Sequence, residues 1–209
     1  PLKKGGHIGV FGIGGASDIA IKISDQKEIS EEAFGEGDRD QYFGTAMGVV
    51  GVSYKKPFSR NTFFKATIAQ SYDQQKSRHD FLERSIDTTY SGGEEQYEIR
   101  TDSIFQLLGY KFKTYKTAFY ASVNHKINNR NLIRAGINVD GYYMVNIDSV
   151  LDVTKSFFET RHDYEGFSTL IQPFVQYKWK INERMDFTAG VHSQYFSLSD
   201  SWSYAEPRL

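Results

Sequence analysis

From Leu132 to Val145 the side chains alternate with a period of two, and this alternation limits the possible folds more than any other feature of the chain. Ile133, Ala135, Ile137, Val139, Gly141, Tyr143 and Val145 fall on one face, and Arg134, Gly136, Asn138, Asp140 and Tyr142 on the other. Successive side chains of a strand point to opposite sides, so the pattern predicts a strand with one apolar and one polar face. It recurs from Thr169 to Ile181, where Ile171, Pro173, Val175, Tyr177 and Trp179 alternate with Gln172, Phe174, Gln176, Lys178 and Lys180. It recurs again at Met185–Tyr195, Phe119–Ile127 and Thr62–Tyr72. Pro173 lacks a ladder donor, which predicts a bulge nearby. Gln41–Tyr54, rich in small residues, and His7–Ile23, broken by Gly14 and Gly15, bring the count to seven strands, with an eighth starting at about Glu206.

The links between these strands are of two kinds. Lys55–Asn61, Asn128–Asn131 and Asn182–Arg184 are short polar turns. Ser24–Asp40, Asp73–Lys116, Asn146–Phe167 and Leu198–Ala205 read as long loops, and Ser149–Thr160 is the one place with helical spacing, at Val150, Val153 and Phe157. Short and long links alternate, so antiparallel strands put all the turns at one end and all the loops at the other. Aromatic residues gather near both strand ends: Phe58, Phe63, Tyr177, Trp179 and Phe187 beside the turns, and Tyr72, Tyr142, Tyr143, Tyr195 and Phe196 beside the loops. Outer-membrane barrels show this end asymmetry and these interfacial aromatics.

Composition agrees with that class. Only 39% of residues are hydrophobic while 15% are aromatic, and no apolar run approaches the roughly 18 residues of a membrane helix. A net charge of −1 gives no electrostatic case for nucleic acid, and the absence of cysteine excludes a disulfide scaffold and thiolate metal sites. The opening PLKKGGHIGVFGIGG has six glycines and no cleavage site, so it is not a signal peptide. The fold expected for residues 1–209 is therefore all-β: antiparallel transmembrane strands in a meander of hairpins, one segment of a larger outer-membrane barrel. An odd or unfinished strand count cannot close a single-chain barrel.

Several segments carry a family resemblance: Pro1-Leu2-Lys3-Lys4-Gly5, Phe11-Gly12-Ile13-Gly14-Gly15 with Ser17-Asp18-Ile19, and Met47-Gly48-Val49-Val50-Gly51-Val52. To these add Asn124-His125-Lys126-Ile127-Asn128, Leu132-Ile133-Arg134-Ala135-Gly136-Ile137 and Ala205-Glu206-Pro207-Arg208-Leu209. Together they make the chain resemble the barrel of TonB-dependent outer-membrane receptors of Bacteroidetes-type bacteria. The resemblance implies a 22-stranded barrel around an N-terminal plug, with TonB engaged through a box near the N-terminus. Neither plug nor box is among these residues, and neither are the last barrel strands. It also implies energised uptake of an iron chelate, vitamin, glycan or peptide. The expected partners are TonB, outer-membrane lipid, lipopolysaccharide, and an extracellular ligand or surface lipoprotein.

Site chemistry is sparse. Gly12-x-Gly14-Gly15 departs from a dinucleotide fingerprint at Ser17 and reads as strand glycines. The five histidines show no metal-ligand spacing, and no nucleophile elbow or triad signature is present, so no catalysis, cofactor or metal is expected. Ligand or partner contacts are expected from the long loops, at Asp25, Glu28, Glu31 and Glu32 in the acidic first loop, at His79 and Arg84 in the mixed second one, and at His162. The acidic loop also suits a divalent-ion bridge to lipopolysaccharide. Arg134, Asn138, Gln172 and His192 are expected to face a watery lumen, and His125 an interface. The alternative functions are a structural or partner-docking barrel (anchor, adhesin or secretion component) and a barrel hydrolase with a His/carboxylate or Ser/His cluster at the loop rim.

Overall fold

The computed structural model describes residues 5–26 and 37–208. Eight strands follow along the chain: β1 (His7–Ile21), β2 (Arg39–Pro57), β3 (Thr62–Ser91), β4 (Glu94–Lys126), β5 (Asn131–Asp152), β6 (Phe157–Lys180), β7 (Asp186–Phe196) and β8 (Ser201–Arg208). Each pairs antiparallel with the next in one meander sheet, and β1 does not pair with β8, so the described sheet is open. There is no helix among the described residues.

Among the described residues no packed interior holds these strands. The only buried apolar side chains described are Ile23 and Leu82, while Val10, Val50, Ile68, Val175 and Val191 are all more than 40% exposed. Stability comes instead from the backbone ladder and from side chains paired across it. Two aromatics lie over glycines of the neighbouring strand: Phe11 covers Gly51, and Phe174 covers Gly136, where an added Cβ would stand 2.6 Å from the Phe174 ring and from the Ala121 carbonyl oxygen. A side chain at either glycine would displace the ring.

The register also fixes a stagger. A row across the sheet runs Phe63, Asn124, Arg134, Gln176, Gly190. The β2–β3 turn closes on this row at Pro57–Phe63, the β4–β5 turn two residues beyond it at Lys126–Leu132, and the β6–β7 turn four beyond it at Lys180–Asp186. With ~3.3 Å per residue along a strand and ~4.8 Å between strands, one residue per strand corresponds to a tilt of about 35°. A level line across the hairpin ends therefore cuts the strands obliquely.

Three expectations need correction. Asp73–Lys116 is not a loop: β3 and β4 run on as a paired ribbon to a two-residue Gly92-Gly93 turn, both glycines at positive φ. Asn146–Phe167 is likewise strand on both sides of a turn, so the helical spacing at Ser149–Thr160 was a coincidence in β-branched residues. The eighth strand starts at Ser201, not at about Glu206. Where the β3–β4 ribbon begins, at Asp73–Arg78, both faces of β3 are polar, so alternation fades although pairing continues. Pro173 interrupts pairing with β7 without shifting the register, and the bulge falls opposite it, between His192 and Gln194 in the β7–β8 ladder. The two-ended asymmetry remains, with tight turns at one end and hairpins of unequal height at the other.

Two outcomes follow from this packing. Gly136→Val forces the Phe174 ring aside and should cost about 1–3 kcal/mol, read as a lower urea midpoint of the folded protein. At the β5–β6 turn Asp152 accepts from the amides of Thr154 (3.0 Å) and Lys155 (3.2 Å). Hydrogen bonding from the Thr154 hydroxyl, then from Lys155, holds this carboxyl below its usual 3.8. A depressed folded pKa stabilises above the unfolded value and is lost as pH falls through the folded one. Hydrogen-exchange protection at Thr154, corrected for intrinsic rate, should fall below pH 3.8 in the native protein and be low at all pH in Asp152→Ala.

Candidate functional site

The two faces of the sheet differ in chemistry. One carries Tyr54, Val52 and Val50 on β2, Phe64, Ala66 and Ile68 on β3, Val123, Ala121 and Phe119 on β4, and their partners on β5 and β6, Ile133, Ala135, Ile137, Val139, Val175 and Ile171. On the same face Gln70 and Thr117 hydrogen-bond to each other at 2.6 Å, which lowers the cost of two polar groups there. Aromatics bound this face at both ends. At the loop end Tyr72 contacts Tyr115 (5.0 Å), Tyr115 contacts Tyr143 (6.1 Å), and Tyr195 contacts Trp202 (4.8 Å). At the turn end Tyr54 and Phe58 contact Phe64, with Tyr177, Trp179 and Phe187 further along. Phe63, Tyr142 and Phe196, expected in these groups, fall on the other face.

The other face is polar from β3 to β8. It carries a hollow of about 470 Å³ lined by Tyr120, Arg134, Asn138, Gln172, Phe174 and His192 among others. All four residues expected to face a lumen thus meet in one place. The Arg134 guanidinium donates to Tyr120 Oη (2.6 Å) and lies 5.5 Å over the Phe174 ring, while Lys65 covers the Tyr120 ring at 5.4 Å. Tyr120 in turn donates to Ser122 (2.8 Å). Gln172 donates to Gln194 (2.9 Å), and His192 Nδ1 is 3.1 Å from Glu206. The Nε–H of Arg134 is buried without a partner among the described residues. The donors exceed the acceptors, so the hollow suits a group bearing oxygen acceptors. β1 and β2 depart from the pattern: Phe11, Ile13, Met47 and Val49 make their second face apolar as well.

Glu206, which the sequence offers only as the start of a strand, bridges His192 and Ser203, whose hydroxyl donates to it at 2.8 Å. The connectivity differs from that of a Ser–His–acid triad: Ser203 bonds the carboxylate and not the imidazole.

Among the described residues, the expected loop residues do not form one cluster: Arg84 reaches the segment that holds Asp25, while His162 lies apart. Glu28, Glu31 and Glu32 lie outside the described residues. Asp25 is exposed and 4.0 Å from Lys22. Arg84 holds backbone, donating to the carbonyls of Ile23 and Gln26. That contact belongs to a small knot in which Ser24 gives its amide (2.8 Å) and hydroxyl (2.7 Å) to Asp40, around the buried Ile23 and Leu82. Nearby, hydrogen bonding from Arg39 holds the Asp38 carboxyl below the usual range. His79 packs edge-on to Phe43 at 5.6 Å. His162 pairs opposite Asp148 on β5 and is separated from β3 by β4 and β5. His125 sits at the turn end of the apolar face, 2.9 Å from the Thr62 hydroxyl. Among the described residues no group of His, Asp or Glu is arranged to hold a metal ion.

The contacts define a double-mutant cycle. Arg134→Ala with Tyr120→Phe should show a coupling energy of about 0.5–3 kcal/mol, whereas Arg134→Ala with Lys155→Gln, at the far β5–β6 turn where Lys155 pairs with Asp152, should add within about 0.5 kcal/mol. Unfolding midpoints of the four variants and the parent test both statements.

No protein-family model, no curated protein and no solved structure matches this chain.

Proposed function

We propose that this chain forms wall strands of an outer-membrane β-barrel of the TonB-dependent receptor kind and takes part in energised uptake of a nutrient. The observation that carries the reading is the exposed apolar face with aromatic rings at both ends. Eight residues separate Phe64 from Tyr72 on β3, and eight separate Phe187 from Tyr195 on β7. At ~3.3 Å per residue that is ~26 Å along the strand, and a tilt of about 35° reduces it to ~22 Å, close to the ~25 Å apolar band of such barrels. The oblique stagger brings Phe64 level with Phe187 and Tyr72 level with Tyr195. The tilt itself falls in the range of closed barrels, roughly 35–45°.

In hydrocarbon the unpaired edges of β1 and β8 would each leave backbone groups unsatisfied, at several kcal/mol apiece. Barrel closure through further strands, 22 in the family resembled, removes both edges. The polar face with its hollow then lines the interior, and the hairpins beyond the Tyr72 level stand outside the cell. A docking barrel without transport is the second reading, favoured by the β3–β4 ribbon, which extends nineteen residues beyond Tyr72.

Two experiments test these readings. Ile68→Arg, at mid-height on the apolar face, should cost about 2–4 kcal/mol of folding stability in vesicles. Thr67→Arg, next to it on the polar face, should cost about 0.5 kcal/mol or less; equal costs contradict the wall reading. Transport is tested in the native bacterium by growth on ferric chelates, vitamin B12, glycans or peptides. Uptake requires that deletion of the gene, and collapse of the proton-motive force, abolish one of these; unchanged growth on all four favours docking.

A further inference from the structure

Beyond the aromatic level, the apolar side of the sheet becomes basic on β3 and β4. Continuing past Tyr72 and Tyr115, the residues of this face are Gln74, Lys76 and Arg78 on β3, and Lys113 and Lys111 on β4. Lys76 and Lys111 are directly opposed across the ladder, an arrangement that destabilises a sheet unless an anion offsets it. The strands resolve only half of this conflict. Lys76 leans across Gly44, where a Cβ would collide with it, and reaches Asp18 at 3.0 Å. Arg78 is held by Asp80 at 2.7 Å.

Lys111 and Lys113 have no such partner. Among the described residues neither makes an ion pair or hydrogen bond. Their neighbours on β5 are Ile147 and Val145, and the next acids, Asp163 and Glu165, stand a further strand away on β6. Glu165 already accepts from the Tyr143 hydroxyl. Two ammonium groups two residues apart on one strand, ~7 Å along it, therefore project from the side that is apolar below and beside a row of tyrosines. That is the depth at which lipid headgroups meet a membrane protein.

We propose that Lys111 and Lys113, with Lys76 at their side, form a docking surface for the phosphates of a phosphorylated membrane lipid. Phosphate oxygens accept from both ammonium groups and offset the Lys76–Lys111 opposition, while the acyl chains lie against Tyr115 and Phe119. The inference rests on the wall reading above. It adds that the wall selects its lipid by charge at one place.

The test uses the full-length protein in phosphatidylcholine nanodiscs holding equal small amounts of diphosphoryl lipid A and its dephosphorylated form. Native mass spectrometry then reads the ratio of the two retained on the protein. The parent should retain the phosphorylated form preferentially. Lys111→Gln with Lys113→Gln should reduce the preference by about tenfold. Lys111→Arg with Lys113→Arg should keep it, and so should Lys155→Gln at the distant β5–β6 turn. No preference in a folded, inserted parent, or a preference that survives the double Gln change, overturns the docking surface alone. A parent that remains outside the disc overturns the wall reading, and the docking surface with it.

Discussion

The backbone ladder between neighbouring strands, held in a single register, is what the rest of this structure depends on. There is no packed interior to fall back on, since Ile23 and Leu82 are the only buried apolar side chains described. Because side chains alternate with a period of two, a slip of one residue would turn Ile133, Ile137 and Val139 to the polar side and Arg134 and Asn138 to the apolar side. Contacts across the ladder oppose such a slip. Phe174 over Gly136 fits one register only, as does Arg134 on Tyr120, and Lys116 meets Asp140 at 2.9 Å. The same register produces the stagger, and the stagger brings aromatics from distant strands to one level.

The two faces follow from that register and require different surroundings. A contiguous apolar face on a chain in water would drive association, and among the described residues no second layer covers it. In a bilayer the same face is solvated by acyl chains, and Gln70 with Thr117 shows how a polar pair on it is satisfied internally. The hollow around Arg134 lies on the opposite side, with amides, a phenol and a guanidinium that suit water or a ligand rich in oxygen. Wall and hollow are thus two results of one pattern.

Much of this was legible in the residues. The strands with one apolar and one polar face, Leu132–Val145 above all, were readable because burial against a single medium leaves a period in the sequence. Arg134, Asn138, Gln172 and His192 could be grouped by parity alone, although their meeting in one hollow depends on pairings between β5, β6 and β7 that no single strand records. The extension of β3 and β4 was not legible. Residues such as Asp73, Gln74, Gln75 and Lys76 put polar side chains on both faces, so nothing selects an alternation even where the backbone pairs. The roles of Arg84, which grips the Ile23 and Gln26 carbonyls, and of Glu206, which joins His192 to Ser203, come from contacts over chain separations of 61, 58 and 14 residues and leave no local signal.

These 209 residues contain no cysteine, so labels placed among them are unambiguous once any cysteine elsewhere in the full-length protein is replaced by serine. Single cysteines placed in turn from Leu132 to Val145 in the full-length protein, spin-labelled and reconstituted in vesicles, report exposure to lipid-soluble oxygen and to a water-soluble nickel chelate. The account predicts strict alternation, with oxygen accessibility high at Ile133, Ala135, Ile137 and Val139 and low at Arg134, Gly136, Asn138 and Asp140. Oxygen accessibility that is uniform along β5, or low at Ile133 and Ile137 together, would contradict it.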